Sequence, residues 1–242
     1  MLRWIGAMLL MSLIVSGCQS NPGSAPDGDG KRQAAQTVND MRTGNVNEAL
    51  WKAAEQGDSK AILESLNAGA EINATDDRER TAAMIAVHAN RIEVFKVLVD
   101  QGADINIRDN RSDNPLLYAG AEGLLPFVQA AVAAGADTKL TNRFGGTALI
   151  PAADRGHVEI VKELLTTSDV DINHVNNLGW TALLEAVILG DGGSRHQAIV
   201  DLLIEHGADV NLADSDSVTP LQHAKKRGFE EMIRSLEQAG AK

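Results

Sequence analysis

The sequence predicts an all-α repeat fold, an α-solenoid of about six helix–turn–helix units. Three observations predict it. A six-residue motif returns along the chain: TAAMIA opens at Thr81, NPLLYA at Asn114, TALIPA at Thr147, TALLEA at Thr181 and TPLQHA at Thr219. The steps between these starts are 33, 33, 34 and 38 residues, and a period near this length marks supersecondary units stacked in a line. Glycines punctuate the units. Gly123, Gly156, Gly190 and Gly228 fall between paired helices, and Gly69-Ala70, Gly102-Ala103, Gly135-Ala136, Gly207-Ala208 and Gly240-Ala241 follow the second helices. Arrays of this kind hold other molecules and rarely carry chemistry.

The chain opens on a different pattern. Arg3 supplies a positive charge, Trp4 to Val15 is almost wholly apolar, and Ser16-Gly17-Cys18 ends the run. A charged start, a short apolar stretch and small residues read as a secretory signal over residues 1–17. The stretch is too short to cross a bilayer as a helix. Cys18, the only cysteine in the chain, directly follows Val15-Ser16-Gly17. This placement resembles the bacterial lipobox, which implies cleavage before Cys18 and lipid on its sulfur and its new amino group. Several acyl chains anchor a protein firmly where one gives marginal binding. Gln19 stands where an Asp would favour the inner membrane, so the resemblance implies a bacterial envelope protein on the outer membrane, facing the periplasm. A lone cysteine leaves no intrachain disulfide. Residues 18–44 are expected to be a lipid-anchored flexible linker, because 19–40 are rich in Gly, Pro, Ser, Asp and Gln. Such a coil reaches roughly 25 Å.

Residues 45–242 carry the units. The first, near Asn47 to Asp76, has Glu48 where Thr would stand, as an atypical end unit does. In the second, Thr81 to Ala89 reads as one helix and Ile92 to Asp100 as its partner, with Ile92, Phe95, Val97 and Leu98 at helical spacing. Gly102 closes that pair. The third opens at Asn114-Pro115, a cap followed by proline in the first turn, and its second helix is expected to begin around Pro126. The fourth runs one residue long at Ser168-Asp169-Val170-Asp171. The fifth carries five extra residues around 191–196, between its two helices, read as a surface loop or as a contact peculiar to this protein.

At this point the chain resembles the ankyrin repeat family. The resemblance rests on the Thr-Pro-Leu-like starts, Gly156-His157, VEIVKELL at 158–165 and GADVN at 207–211. It implies an ankyrin repeat array of stacked helix pairs with β-hairpin-like connecting turns projecting sideways, and partner contacts from the turn tips and first helices. Carried over unit by unit, the candidate partner-binding residues are Arg78, Arg80 and His88; Arg111; Arg143, Phe144 and Arg155; Leu178, Trp180, Ile188 and Leu189; and Lys226 with Arg227. Aromatic and arginine anchors commonly dominate binding energy.

Charge narrows the partners. The chain holds 22 basic and 33 acidic residues, a formal −11. Removing residues 1–17 takes away only Arg3, leaving 21 against 33, or −12. That argues against nucleic acid, which needs a basic surface, and against an electrostatic grip on membranes. It favours a protein partner of opposite sign.

The residues show no catalytic set. The histidines His88, His157, His174, His196, His206 and His223 make no metal-binding spacing such as HExxH. His157 and His206 are expected to hydrogen-bond turns. His196 with Asp191 and Asp201 is the one cluster a metal could use, and a plain surface loop is the competing reading. Gly145-Gly146 and Gly192-Gly193 lack a phosphate-loop context, and no nucleophile elbow appears. The expectation is a non-enzymatic, monomeric interaction module with no cofactor beyond the lipid on Cys18 and no small-molecule substrate. It is read as an accessory protein for a periplasmic enzyme or an immunity protein against a delivered toxin. An envelope scaffold without one tight partner is the second reading, and an enzyme or metal binder the third.

Overall fold

A computed structural model describes residues 43–242. The signal segment 1–17, Cys18 and nearly all of the linker 18–44 lie outside the described residues. The described residues belong to one compact unit. They form twelve helices in six antiparallel pairs: α1 (43–56) with α2 (Ser59–Asn67), α3 (Ala82–His88) with α4 (Ile92–Asp100), α5 (Pro115–Glu122) with α6 (Leu125–Ala133), α7 (Leu149–Asp154) with α8 (Val158–Thr167), α9 (Ala182–Ile188) with α10 (Ser194–Glu205), and α11 (Pro220–Arg227) with α12 (Glu230–Gln238). Residues 43 and 44, the last two of the segment read as linker, already belong to α1. None of the described helices is long and apolar enough to cross a membrane.

The two helices of each pair bury differently, and the sequence says why. The first helices stack on one another in an inner row: α3 on α5, α5 on α7, α7 on α9 and α9 on α11. Those inside the array are covered by neighbours on both sides and by their own partners, whereas the terminal α11 has α9 on one side only. Every residue from Ala82 to Val87 and from Ala182 to Val187 is therefore buried. Alanine at five of those twelve positions lets backbones approach closely; Ala82, Ala83, Ala86, Ala182 and Ala186 are all buried. The second helices form an outer row and bury one stripe. Val94, Phe95 and Leu98 on α4 match Phe127, Val128 and Ala131 on α6, Ile160, Val161 and Leu164 on α8, and Ile199, Val200 and Leu203 on α10. Phe95 and Phe127 meet edge-on, with ring centroids 5.5 Å apart, a favoured aromatic geometry.

Most inner helices start on a side-chain cap. Thr81, Asn114, Thr181 and Thr219 each accept a hydrogen bond from the N–H three residues on, the arrangement expected of N-caps. The fourth unit differs. Its α7 begins at Leu149, one residue later than in the capped units, and the Thr147 hydroxyl is buried without a partner among the described residues. Pro151 is the reason. The corresponding residues Ile85, Tyr118, Glu185 and His223 donate their N–H to the carbonyl of the capping residue, and proline has no N–H to give. The second helix of the third unit begins at Leu125, with Pro126 in its first turn.

An asparagine ladder locks the units in register. Asn73 Oδ1 accepts the Asp104 N–H, Asn106 the Asp137 N–H, Asn173 the Asp209 N–H and Asn211 the Lys242 N–H, at 2.8–2.9 Å. Lys139 occupies the missing rung. There Thr138 Oγ1 donates to Asp169 at 2.7 Å and Lys139 Nζ pairs with Asp169 at 3.4 Å.

Candidate functional groove

Five turn tips among the described residues share one construction. In each, an Asp or Asn side chain accepts the backbone N–H groups two and four residues later. Asp76 does this for Arg78 and Arg80, Asp109 for Arg111 and Asp113, Asn142 for Phe144 and Gly146, Asn176 for Leu178 and Trp180, and Asp214 for Asp216 and Val218. The backbone closes the same turn, with the Asx N–H reaching the carbonyl four residues on. The fourth residue of each tip lies at positive φ. It is Gly145 in one tip and Gly179 in the next, and at Gly145 a Cβ would sit 2.3 Å from Asn177 Oδ1, so only glycine fits there. Neighbouring tips are joined by the Asn110 N–H on the Arg78 carbonyl (3.1 Å) and the Asn177 N–H on the Phe144 carbonyl (2.9 Å).

This shared frame sets the third residue of every tip in one row: Arg78, Arg111, Phe144, Leu178 and Asp216. The first four of the row form one wall of a groove of about 590 Å³ that runs across the second to fifth units. Inner-helix residues form the other wall, among them His88, Tyr118, Pro151, Asp154 and Glu185. Phe144 is 54% exposed and Leu178 55% exposed.

Five arginines line the groove, and they are not equivalent. Arg80 is committed to Asp76, with Nε and Nη2 both donating to Oδ2 at 2.9 and 2.6 Å; these bonds help hold the Asp76 carboxyl below its usual range against the opposing effect of burial. Arg155 donates to the Ala121 carbonyl and to Glu122, each at 2.7 Å. Arg78 and Arg111 have no side-chain partner among the described residues. Arg143 lies over the Phe144 ring, 4.4 Å from its centroid, a cation–π contact.

The groove acids are biased the other way. Burial, with the charge of Asp154 next, raises the Glu185 carboxyl to about 7, opposed by the hydrogen bond from Asn176 Nδ2 at 2.8 Å. Burial and then Asp109 raise Asp113. His88 stacks on Tyr118 with ring centroids 4.0 Å apart. Burial and the neighbouring Arg80 lower its pKa, so the ring is held neutral. Burial, then Glu122, pushes the Tyr118 hydroxyl up.

Eight of the thirteen sequence-derived residues meet in this groove: Arg78, Arg80, His88, Arg111, Arg143, Phe144, Arg155 and Leu178. Five do not line it. Trp180 and Ile188 are half-buried, Leu189 and Lys226 are exposed, and Arg227 donates to the carbonyls of Ile188 (2.6 Å) and Gly190 (2.8 Å) across to the neighbouring unit. Tyr118 and Glu185 were missed. The signal was present, because both occupy the fifth place of the six-residue motif, which reads Ile85, Tyr118, Pro151, Glu185 and His223 while the sixth place is always alanine.

The extra residues of the fifth unit are not a projecting loop. Part of the insertion lengthens α10, whose buried His196 points Nδ1 at Asp191 (2.9 Å) and Nε2 at the Asp154 carbonyl (2.8 Å). This repeats the His157 contact to the Ala121 carbonyl one unit earlier. Gly192 packs on the Phe229 ring of the next unit. The cluster of His196, Asp191 and Asp201 does not assemble. Both His196 nitrogens are taken, and Asp201 instead accepts from Gln197 and Ser235. No group of metal-ligating side chains is present among the described residues.

Comparison with known proteins gives the same architecture. Residues 50–138 and 116–214 match the family described as ankyrin repeats (3 copies). The chain is 42% identical over 189 residues to the ankyrin repeat protein YahD of Escherichia coli K12, covering 78% of this chain and 94% of that one. An ankyrin repeat domain from Acinetobacter baumannii superposes with a TM-score of 0.78 at 52% identity, covering 80% of this chain and 98% of the other. The ankyrin repeat domain of Bcl-3, described as a member of the IkappaB protein family, gives 0.73 at 27% identity over 80% of this chain and 86% of its own.

Proposed function

The chain belongs to the ankyrin repeat family, whose members are generally protein–protein interaction modules, and from that premise we propose that it is a lipid-anchored interaction module of a bacterial envelope that seats one protein partner in the groove of its second to fifth units. The observation that carries the reading is the groove itself. It places Phe144 and Leu178, two of the most exposed large apolar side chains described, in one row with Arg78 and Arg111, whose side chains make no ion pair among the described residues. Exposed apolar side chains rimmed by charge are the usual composition of a binding patch.

The anchor rests on the sequence alone. The signal at 1–17, the lipobox-like position of Cys18 and the tether after it support attachment to the outer membrane, with the array in the periplasm. Two roles fit an anchored binder: an accessory protein that supports a periplasmic enzyme, and an immunity protein that inhibits a delivered toxin. A body of net −12 speeds the capture of a partner of overall opposite sign. A toxin gene beside this one favours the immunity role.

The test is a crosslinked pull-down of the lipidated protein from its native envelope, followed by mass spectrometry. One dominant partner that survives high salt and disappears with Phe144→Ala/Leu178→Ala supports the reading. A diffuse set of abundant envelope proteins overturns it in favour of a scaffold with no tight partner.

A further inference from the structure

The groove is chemically graded along its length. From the second unit to the fifth, the tip row reads Arg78, Arg111, Phe144, Leu178, cationic at one end and apolar at the other. The fixed charge is concentrated where partners are lacking. Arg80 and Arg155 are tied to Asp76 and Glu122, whereas the guanidinium groups of Arg78 and Arg111 meet no acceptor among the described residues. Arg143 stands at the junction, stacked on Phe144. Five acids share the groove lining with the arginines. Glu122 is paired with Arg155, and Asp109 is turned onto the N–H groups of its own tip. Asp113 and Glu185 are raised by burial, and Asp154 stands on the inner-helix wall beside Glu185. None of them pairs with the Arg78 or Arg111 side chain. Unpaired guanidinium groups on a chain of formal charge −11 form a local exception to the surface around them. The net charge of the body repels an acidic segment, and these guanidinium groups attract it locally.

Geometry limits the shape of the occupant. Packed helices lie about 8–10 Å apart, and that sets the spacing of successive tips, which hydrogen-bond to one another at Arg78–Asn110 and Phe144–Asn177. An extended chain advances about 3.3 Å per residue. It therefore passes one tip roughly every three residues.

Resting on the reading of this groove as the partner site, we propose that its occupant is an extended acidic segment of a partner protein, with two carboxylates about three residues apart on Arg78 and Arg111 and two apolar side chains further along covering Phe144 and Leu178. Arginine pairs with carboxylate through parallel hydrogen bonds, so the cationic end fixes register. The apolar end supplies desolvated area. Arg143 serves both, adding charge beside the ring it covers.

The experiment uses the full chain and a fluorescent peptide of about twelve extended residues, enough to pass four tips. One peptide carries two acids and then two apolar residues at three-residue spacing. A second has the same composition with acids and apolar residues alternating. The expected result is salt-sensitive binding of the first, with affinity lower by about tenfold or more for the second and for the first against Arg78→Glu/Arg111→Glu. Both arginines are exposed and hold the tip frame through backbone atoms alone, so the variant keeps its helical signal. Equal binding of the two peptides overturns the proposal, as does unchanged affinity in the folded double variant. Displacement of the peptide by a single-stranded oligonucleotide as readily as by unlabelled peptide also overturns it, since that makes the groove a general polyanion site.

The pull-down separates this proposal from the reading beneath it. A native partner captured by wild type and equally by Arg78→Glu/Arg111→Glu, but lost with Phe144→Ala/Leu178→Ala, removes the acidic segment and keeps the groove. Absence of any dominant partner for wild type removes the groove reading itself.

Discussion

Asn176 Nδ2 donates to Glu185 Oε1 at 2.8 Å while Asn176 Oδ1 holds the N–H groups of Leu178 and Trp180. The same two places in the last tip carry the opposite chemistry: Asp214 accepts from His223 at 2.7 Å. Tip and inner helix are thus joined by one polar contact whose donor and acceptor can be exchanged. In the fifth unit the exchange leaves a buried carboxyl near Asp154, raised to about 7.

That carboxyl makes stability depend on pH. In the unfolded chain Glu185 ionises near its model value of 4.5, and in the folded protein near 7. The folded state holds the proton more tightly, so its contribution is most favourable below 4.5, declines as pH rises toward 7, and stays low above. The loss amounts to about 1–3 kcal/mol. Glu185→Gln keeps an acceptor for Asn176 and removes the ionisation. Thermal melts should show it more stable than wild type at pH 8 and equal at pH 4. Parallel curves at both pH values would contradict the assignment.

Replacing Asn176 by Asp tests the same contact from the other side. Asn176→Asp sets a carboxylate against Glu185 and removes the donor. Urea unfolding at pH 8 should show a loss of about 2 kcal/mol or more, which Glu185→Gln partly restores. At pH 4 the penalty should shrink.

The insertion of the fifth unit should behave as a staple. His196→Ala removes a buried ring and leaves the Asp154 carbonyl without its donor. The expected cost is about 2–3 kcal/mol by urea unfolding at unchanged m, with partner affinity unaltered if the array stays folded. A surface loop would lose almost nothing.

Binding and stability should part company among the sequence-derived residues. Phe144→Ala/Leu178→Ala should weaken partner binding by about tenfold, or 1.4 kcal/mol, at constant stability. Arg227→Ala should do the reverse, losing about 1 kcal/mol of stability because its guanidinium joins the last two units. Calorimetric titration with the captured partner and a denaturant curve for each variant check both.

The anchor is testable without the partner. Cys18→Ser should move the protein from the membrane fraction to the soluble periplasmic fraction. Persistent membrane association of that variant would count against lipidation at Cys18.

Most of the architecture was readable in the chain. A helix pair returning every 33 residues announces itself through alanine in the inner helix, an apolar stripe in the outer one and glycine after each, because each unit meets the same neighbours. The exceptions were legible only in part. Pro126 gave the start of α6 to within a residue, while Pro151 was read as an ordinary motif position, although it removes the N–H that closes the first turn on Thr147.

The groove divides in the same way. Eight residues of its lining followed from tip and helix positions, since a shared turn frame gives each tip residue a fixed direction. Trp180 and Arg227 occupy places of the same formal kind and do not line the groove. Sequence alone fixed which residues stand at each tip, because the period is local and repeats. Tertiary structure decided which arginines are free, which acids are displaced toward neutrality and where the insertion packs. Those outcomes depend on contacts between neighbouring units, such as Arg155 with Ala121, 34 residues apart, and His196 with Asp154, 42 residues apart, and on how much water the stacked units leave around each charge.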